Sequence, residues 1–415
     1  MLYIIGGKVI TMEGSTWERG YICIENGIIK ELGPMESRTP VPDSFMQDRE
    51  KGEKLHEPVQ IIDASGCIVM PGLIEAHCHM GITEEKKGME GDDCNETVNP
   101  ITPYLRAIDA INPMDAAFDD AVRAGITSAM IGPGSSNVVG GTFAFVKTHG
   151  RSIDKLIVKN PAAMKIAFGE NPKVNYSGQG KSPSTRMAIA AMLREELFKA
   201  ARYAEKRKEG MEPDEMDFKY ECWLPVLERK IPLKAHVHRA DDILTAIRIA
   251  KEYHLLMTLD HCSEGHLIAK EVKESGFPAI VGPDLASRSK IEVQNMAFKT
   301  VGILNKEGVK TAVTTDHPVS LIQALPICAG LAVKSGMEEE EALKSITIYP
   351  AQICGVEKRV GSLKKGKDAD IAIFNGNPLE ISTKTMCTLI DGEIVYCDDA
   401  FTGSNIPLPE GKKQV

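Results

Sequence analysis

The sequence predicts an α/β protein, a (β/α)8 barrel carrying a small β-sandwich assembled from both ends of the chain. Three observations lead there. The middle of the chain alternates short apolar strands with amphipathic helices, the pattern of a parallel sheet joined by helical crossovers. Both ends read instead as β-branched runs separated by glycine turns. The length of 415 residues accommodates one barrel of roughly 250 residues together with a smaller unit.

In chain order, Leu2 to Ile10, Tyr21 to Glu25 and Ile28 to Leu32 read as strands, and the charged, proline-bearing stretch from Met35 to Glu57 as a loop. Eight barrel strands are then expected, at Leu73 to His77, Ile126 to Ile131, Phe143 to Val146, Met164 to Phe168, Leu233 to Val237, Leu256 to Leu259, Ala279 to Val281 and Thr311 to Thr315. Helices are expected from Pro113 to Ala124 and from Pro183 to Lys208. Each follows a capping residue, Asn112 or Ser182, and places proline at the first helical position. Further helices are expected at Asp241 to Tyr253, Glu264 to Ser275, Arg288 to Lys306 and Val319 to Lys334. A doubly wound open sheet is the alternative, but no GxGxxG turn follows the first strand. Beyond Ala351 the β texture returns at Ala369 to Phe374, Met386 to Ile390 and Ile394 to Tyr396, with an Asp391-Gly392 hairpin signal. The expected domains are 1–70 with 355–415 as the sandwich and 71–354 as the barrel.

Composition narrows the function. The net charge is −9 and no long basic run is present, which argues against a nucleic-acid partner because tracking phosphates needs a concentrated cationic face. The first apolar run, Leu2 to Ile5, is cut off by Gly6-Gly7-Lys8, so neither an export signal nor a membrane span is expected. The ten cysteines form no CxxC pair, and the expected setting is the reducing cytoplasm. Nothing electrostatic points to a partner.

The chemistry is concentrated at strand ends. Leu73 to His79 is an apolar strand closing on His77 and His79, two residues apart and therefore on one face. The pattern recurs at His236 and His238, at Asp260-His261 and at Asp316-His317. Six of the ten histidines thus fall at the C-terminal ends of expected strands, where barrel enzymes keep their active sites. Imidazole and carboxylate ligands suit zinc or a similar divalent ion. Lys165 interrupts the apolar strand Met164-Lys165-Ile166-Ala167-Phe168, where an unpaired charge is expensive.

The segment Pro71-Gly72-Leu73-Ile74-Glu75-Ala76-His77-Cys78-His79 and the segment Gly361 to Ile371 resemble the metal-dependent amidohydrolase superfamily. His236 to Ile243 is similar to the branch holding imidazolonepropionase and Xaa-Pro dipeptidases. The resemblance implies hydrolysis of an amide or cyclic amide by a metal-bound hydroxide, and association into homo-oligomers. It implies His77, His79, His236, His261 and Asp316 as ligands of two divalent ions, with Asp316 as the general base. It also implies that Lys165 is carboxylated and bridges the two ions, with Glu170 as a rival ligand. Substrate contacts are expected from His238 and from Asn137, in the glycine-rich loop Gly132 to Gly141. The acidic loop Glu84 to Glu96 is expected at the same face, where it would meet a cationic substrate or simply cover the site. Two other classes compete. A mononuclear deaminase or cyclic-amidine hydrolase would release ammonia or open a nitrogen ring, although Arg239-Ala240-Asp241-Asp242 stands where deaminases place a catalytic glutamate. A non-catalytic scaffold would bind no metal.

Overall fold

The computed structural model describes residues 1–35, 59–85 and 88–401. The loop expected from Met35 to Glu57 lies, from residue 36 on, outside the described residues. Seven strands precede the barrel: β1 (Leu2–Ile5), β2 (Lys8–Ile10), β3 (Thr16–Trp17), β4 (Gly20–Glu25), β5 (Ile28–Pro34), β6 (Gln60–Asp63) and β7 (Ile68–Pro71). The barrel strands are β8 (Leu73–Cys78), β9 (Ile126–Ile131), β10 (Val139–Lys147), β11 (Ile157–Ala167), β12 (Leu233–Val237), β13 (Met257–His261), β14 (Ala279–Val281) and β15 (Thr311–Val313). Three more, β16 (Ile371–Phe374), β17 (Thr385–Ile390) and β18 (Glu393–Cys397), close the chain.

The two ends of the chain share one structure. A four-stranded sheet runs β5-β4-β1-β6, and a six-stranded sheet runs β18-β17-β16-β7-β2-β3. In the second sheet β7 is parallel to β2 and antiparallel to β16, with Pro71 opposite Ile371. Inward-facing Ile4, Ile22, Ile62, Val69, Ile371 and Leu389 fill the space between the sheets and are closed to solvent, the alternation expected of a sandwich.

The eight barrel strands form one sheet in sequence order. Neighbours from β11 to β15 are parallel, as are β8 and β9. The strict β/α alternation fails at β10, which is antiparallel to both β9 and β11. The reason is the connection. A parallel return needs a dozen or more residues, whereas β9 ends at Ile131 and β10 begins at Val139. Between β8 and β15 the sheet is held by other means. His79 N–H donates to His317 O at 2.8 Å. The buried Glu75 carboxylate accepts from the Thr314 hydroxyl at 2.5 Å and from the Thr315 N–H and hydroxyl at 2.9 and 2.7 Å.

Several helices begin later than expected. The first runs Ala116–Arg123 after Asp115, and the long one runs Arg186–Gly210, where the Thr185 hydroxyl caps Ala188 N–H at 3.0 Å. Pro113 belongs to a turn, and Pro183 to irregular chain, ahead of these caps. The stretch 288–306 yields only a short turn, Ile291–Val293, and the helix Lys299–Glu307; its first half is a loop at the C-terminal end of the barrel. The stretches 264–275 and 319–334 divide in the same way, into turns followed by Ala269–Ser275 and Leu325–Lys334. No helix among the described residues is long and apolar enough to cross a membrane.

Candidate functional site

Five imidazoles and one carboxylate converge where β8, β12, β13 and β15 end. His77, His236 and His261 are 0%, 5% and 2% exposed. The rings pack edge to face, with His236 and His261 centroids 4.4 Å apart and His77 and His261 centroids 5.1 Å apart. Asp316 Oδ1 lies 3.3 Å from His79 Nε2 and 3.6 Å from His77 Nε2. Two trios, His77–His261–Asp316 and His236–His238–His261, each bring their ligand-type atoms within 4.8 Å of one another.

A second layer fixes which nitrogen of each ring faces inward. Nδ1 of His79 contacts Gly132 O at 2.7 Å and that of His261 contacts Gly282 O at 2.8 Å. Nδ1 of His77 faces Asp260 Oδ2 at 2.7 Å, and that of His238 faces Ser263 Oγ at 2.8 Å. Carboxylate and carbonyl oxygens only accept, so in neutral His77 and His261 Nδ1 carries the proton and Nε2 is the lone-pair nitrogen, the arrangement that orients imidazole for metal binding. Two atoms at the centre, His261 Nε2 and Asp316 Oδ1, are buried without a hydrogen-bond partner among the described residues. Leaving such atoms unsatisfied is costly, and a divalent cation satisfies a lone-pair nitrogen and a carboxylate oxygen together. The donor set therefore fits a metal. His261 and Asp316 also have φ of 71° and 52°, a left-handed conformation that costs a non-glycine residue about 1–2 kcal/mol and that clusters at functional sites.

Electrostatics agrees with this division of labour. Burial, then the Lys165 and Lys234 ammonium groups, hold His77 well below the ordinary imidazole value. Burial likewise depresses His236 and His261, and takes His238 down to about 4. These four rings are neutral at pH 7, as ligands must be. His79 is the exception: burial works against its charge, but Cys94 and Asp316 outweigh it and carry the ring up to about 10, so it binds an ion only by giving up a proton. Asp316 stays ionised because His261 and His79 overcome its burial.

Lys165 is fully buried on β11, with Nζ 3.3 Å from His77 Nε2. Burial, opposed by Asp260 and Asp316, brings its amine down to about 8, so an appreciable fraction is free base near neutrality. Glu170 reaches the cluster through its backbone N–H, which donates to Glu292 Oε2 at 2.8 Å. Asn137 is turned away from it. Its amide donates to Asn99 O at 2.8 Å and Thr102 Oγ1 at 3.2 Å, bracing the loop after β8 against the loop after β9. Gly134 N–H to Cys94 O and Ser136 N–H to Asn95 Oδ1 lace the same two loops together. His317 is also outside the cluster, its Nδ1 accepting from Ile322 N–H at 3.2 Å. The Glu84 and Glu85 end of the acidic loop is engaged locally, Glu84 by Asn112 at 3.1 Å; Lys86 and Lys87 lie outside the described residues.

Four functional neighbours escaped sequence reasoning. Asp260 supports His77 and also accepts from Thr258 Oγ1 at 2.6 Å and pairs with Lys234 Nζ at 3.0 Å. Asp260 and Lys234 had a signal, being charged residues inside apolar strands like Lys165. Glu292, 2% exposed, stands 4.0 Å from His236 Nε2 and His238 Nε2, and Cys94 faces His79. Both come from loops without a distinguishing pattern.

Residues 68–398 match the profile of the amidohydrolase family. The crystal structure of an amidohydrolase from Thermotoga maritima MSB8 superposes with a TM-score of 0.87 at 36% identity, over 96% of this chain and 100% of that one. Amidohydrolase tasK of Hapsidospora irregularis is 26% identical over 93% of this chain, which spans 41% of that protein's length. Imidazolonepropionase of Treponema denticola is 23% identical over 86% of this chain and 85% of its own.

Proposed function

The chain belongs to the amidohydrolase family, and from that premise we propose that it hydrolyses a carbon–nitrogen bond of a small-molecule amide, an N-acyl amino acid, dipeptide or cyclic amide, at a site for two divalent ions. The observation that carries this reading is the pair of buried atoms that make no hydrogen bond among the described residues, His261 Nε2 and Asp316 Oδ1, at the meeting point of two ligand trios. His77, His79 and Asp316 would hold one ion, and His236 and His261 the other, with zinc as the metal best suited to imidazole and carboxylate. Lys165, carboxylated on its depressed amine, would supply a further anionic ligand, because two dications held by imidazoles and a single aspartate repel each other. Ions bound there would polarise the amide carbonyl and lower the pKa of water.

The chain's own residues do the rest. Asp316, held ionised by His261 and His79, takes the proton of the attacking water and passes it to the departing nitrogen, whose unaided expulsion is the difficult step. His238, neutral and fixed by Ser263, donates to or accepts from the substrate. Asp260 keeps His77 in one tautomer. The same reading treats 1–70 with 355–415 as a sandwich domain and 71–354 as the catalytic domain. Elemental analysis should find about two metals per chain. Asp316→Asn should lower turnover by roughly 10²–10⁴-fold with an unchanged circular dichroism spectrum. A metal-free wild-type enzyme with full activity would refute the reading. Release of ammonia from ring substrates with a single metal bound would move it to the mononuclear deaminase.

A further inference from the structure

The loop between β14 and β15 brings two charged residues to the edge of the imidazole cluster. Lys290 Nζ donates to Asn171 Oδ1 and lies 3.7 Å from Glu292 Oε1. Asn171 in turn places its Nδ2 2.8 Å from Ser135 Oγ and 3.5 Å from His236 Nε2. Glu292 is anchored from behind, because Oε2 accepts the Glu170 N–H at 2.8 Å. Gly169 leaves room for that anchor, since a Cβ there would stand 2.7 Å from Glu292 Oε2. The result is a connected set, Ser135, Asn171, Lys290 and Glu292, built against the His236 and His238 edge of one ligand trio.

Two lysines put positive charge on His236 and His238, Lys165 and Lys290. Lys165 is closed to solvent beside His77 Nε2, where the proposed function uses it as a ligand, whereas the Lys290 side chain is 38% exposed. A molecule seated over the imidazoles therefore meets Lys290 and not Lys165. An ammonium has three donors. Asn171 takes one and Glu292 attracts a second, which leaves a direction for an incoming acceptor and holds the flexible side chain where that acceptor arrives. Glu292 is itself a poor recognition group, being 2% exposed and already faced by Lys290.

We propose that Lys290, positioned by Asn171 and Glu292, binds a carboxylate of the substrate, so that the amides cleaved here carry a free acid group next to the scissile bond. This rests on the amide-hydrolase reading above and assigns its substrate class. A carboxylate is favoured over a neutral acceptor because a charge-assisted hydrogen bond is about twice as strong. The acid must reach one side of the His236–His238 pair while the carbonyl sits among the ligands, as the acid of an N-acyl amino acid or a dipeptide does.

The test compares matched substrates. A panel of N-acyl amino acids and dipeptides is assayed beside the same compounds as C-terminal carboxamides, using metal-replete enzyme. The wild type should favour the acids at least tenfold in kcat/KM. Lys290→Met should raise KM for the acids about tenfold or more, hold kcat within a few-fold and leave the carboxamides unchanged, and Lys290→Arg should retain most of the preference. Glu292→Gln should give a smaller rise in KM in the same direction. Equal turnover of acids and carboxamides by the wild type, or a loss in Lys290→Met that is the same for both, would overturn the assignment and leave amide hydrolysis standing. If nothing in the panel is hydrolysed, the amide reading is the one in trouble. Calorimetric binding of N-acyl amino acids to wild type and Lys290→Met then decides the subsite, and equal affinity for the two proteins overturns it.

Discussion

Lys147 at the end of β10 and Lys165 near the end of β11 stand on adjacent strands, 3% and 0% exposed, in two different regions of the molecule. Lys147 lies where the barrel meets the sandwich. Its Nζ sits 2.7 Å from Asp370, 2.9 Å from Asp368 and 3.1 Å from Asp391, all from the C-terminal segment. Burial works against its charge, but the three aspartates outweigh that and raise the amine above its ordinary value. Lys165 lies in the mouth, beside the His77 ring and 5.6 Å from the centre of the Phe143 ring. There burial dominates and the amine falls to about 8. The reversal of β10 is what separates them, because it points the end of β10 toward the foot of the barrel while the end of β11 reaches the mouth. One buried lysine is a charge held for cohesion. The other is the amine that the proposed function carboxylates. Burial alone does not lower a lysine's pKa; the number of carboxylates close around it decides.

The comparison breaks most sharply at the mouth. Lys165→Ala should reduce the bound metal from about two ions per chain to one or none. Turnover should fall roughly 10²-fold or more, since several kcal/mol of transition-state stabilisation goes with the ions. Addition of a small carboxylic acid should restore part of it. Wild-type turnover with two metals still bound would show that Lys165 is no more reactive than Lys147. At the interface, Lys147→Met should do the converse. Stranding buried carboxylates costs about 3–5 kcal/mol, read by urea denaturation, while metal content and kcat stay at wild-type levels.

A third substitution sharpens the contrast within the mouth. Asp260→Asn keeps the shape but removes the anion shared by His77 and Lys234, and metal affinity should fall about 10–100-fold in competition with a chelating dye. The smallest effect is on the pH dependence of stability in chelator-stripped protein. Between pH about 8 and the ordinary lysine value of 10.5, the unfolded chain holds a proton at Lys165 that the native chain has lost. Stability therefore rises with pH across that window, by at most about 1.4 kcal/mol per pH unit, and Lys165→Met should flatten the rise. Lys147 has the opposite sign. Its contribution is full below the unfolded value and is lost as pH rises through the raised native one, so Lys147→Met should remove a fall at the alkaline end.

Much of the site was legible in one dimension. Alternation along a strand puts His77 with His79, and His236 with His238, on shared faces, and a lysine within an apolar strand marks Lys165. What stayed hidden depends on partners far away in sequence. Lys234 and Lys165 occupy equivalent apolar strands, yet Lys234 is matched by Asp260 at 3.0 Å and Lys165 lacks so close a carboxylate. Asn137 looks like a loop residue free to meet a ligand, but its amide is taken up by Asn99 and Thr102. Glu292 falls inside a stretch whose pattern reads as one long helix, and the chain makes only the short turn Ile291–Val293 there, with the Glu292 carboxylate buried against His236 and His238.

The sequence by itself determined the fold class, the eight barrel strands and the histidine-rich ends, because hydrophobic period and turn chemistry are local properties that residues carry with them. Only the tertiary structure decided the direction of β10, the closing of the β8–β15 seam through Glu75, and which buried charges are neutralised and which are left available. Those outcomes depend on which side chains arrive within a few ångströms after the sheet has curled. At such distances, in a medium that screens weakly, a single carboxylate changes the state of a lysine or an imidazole.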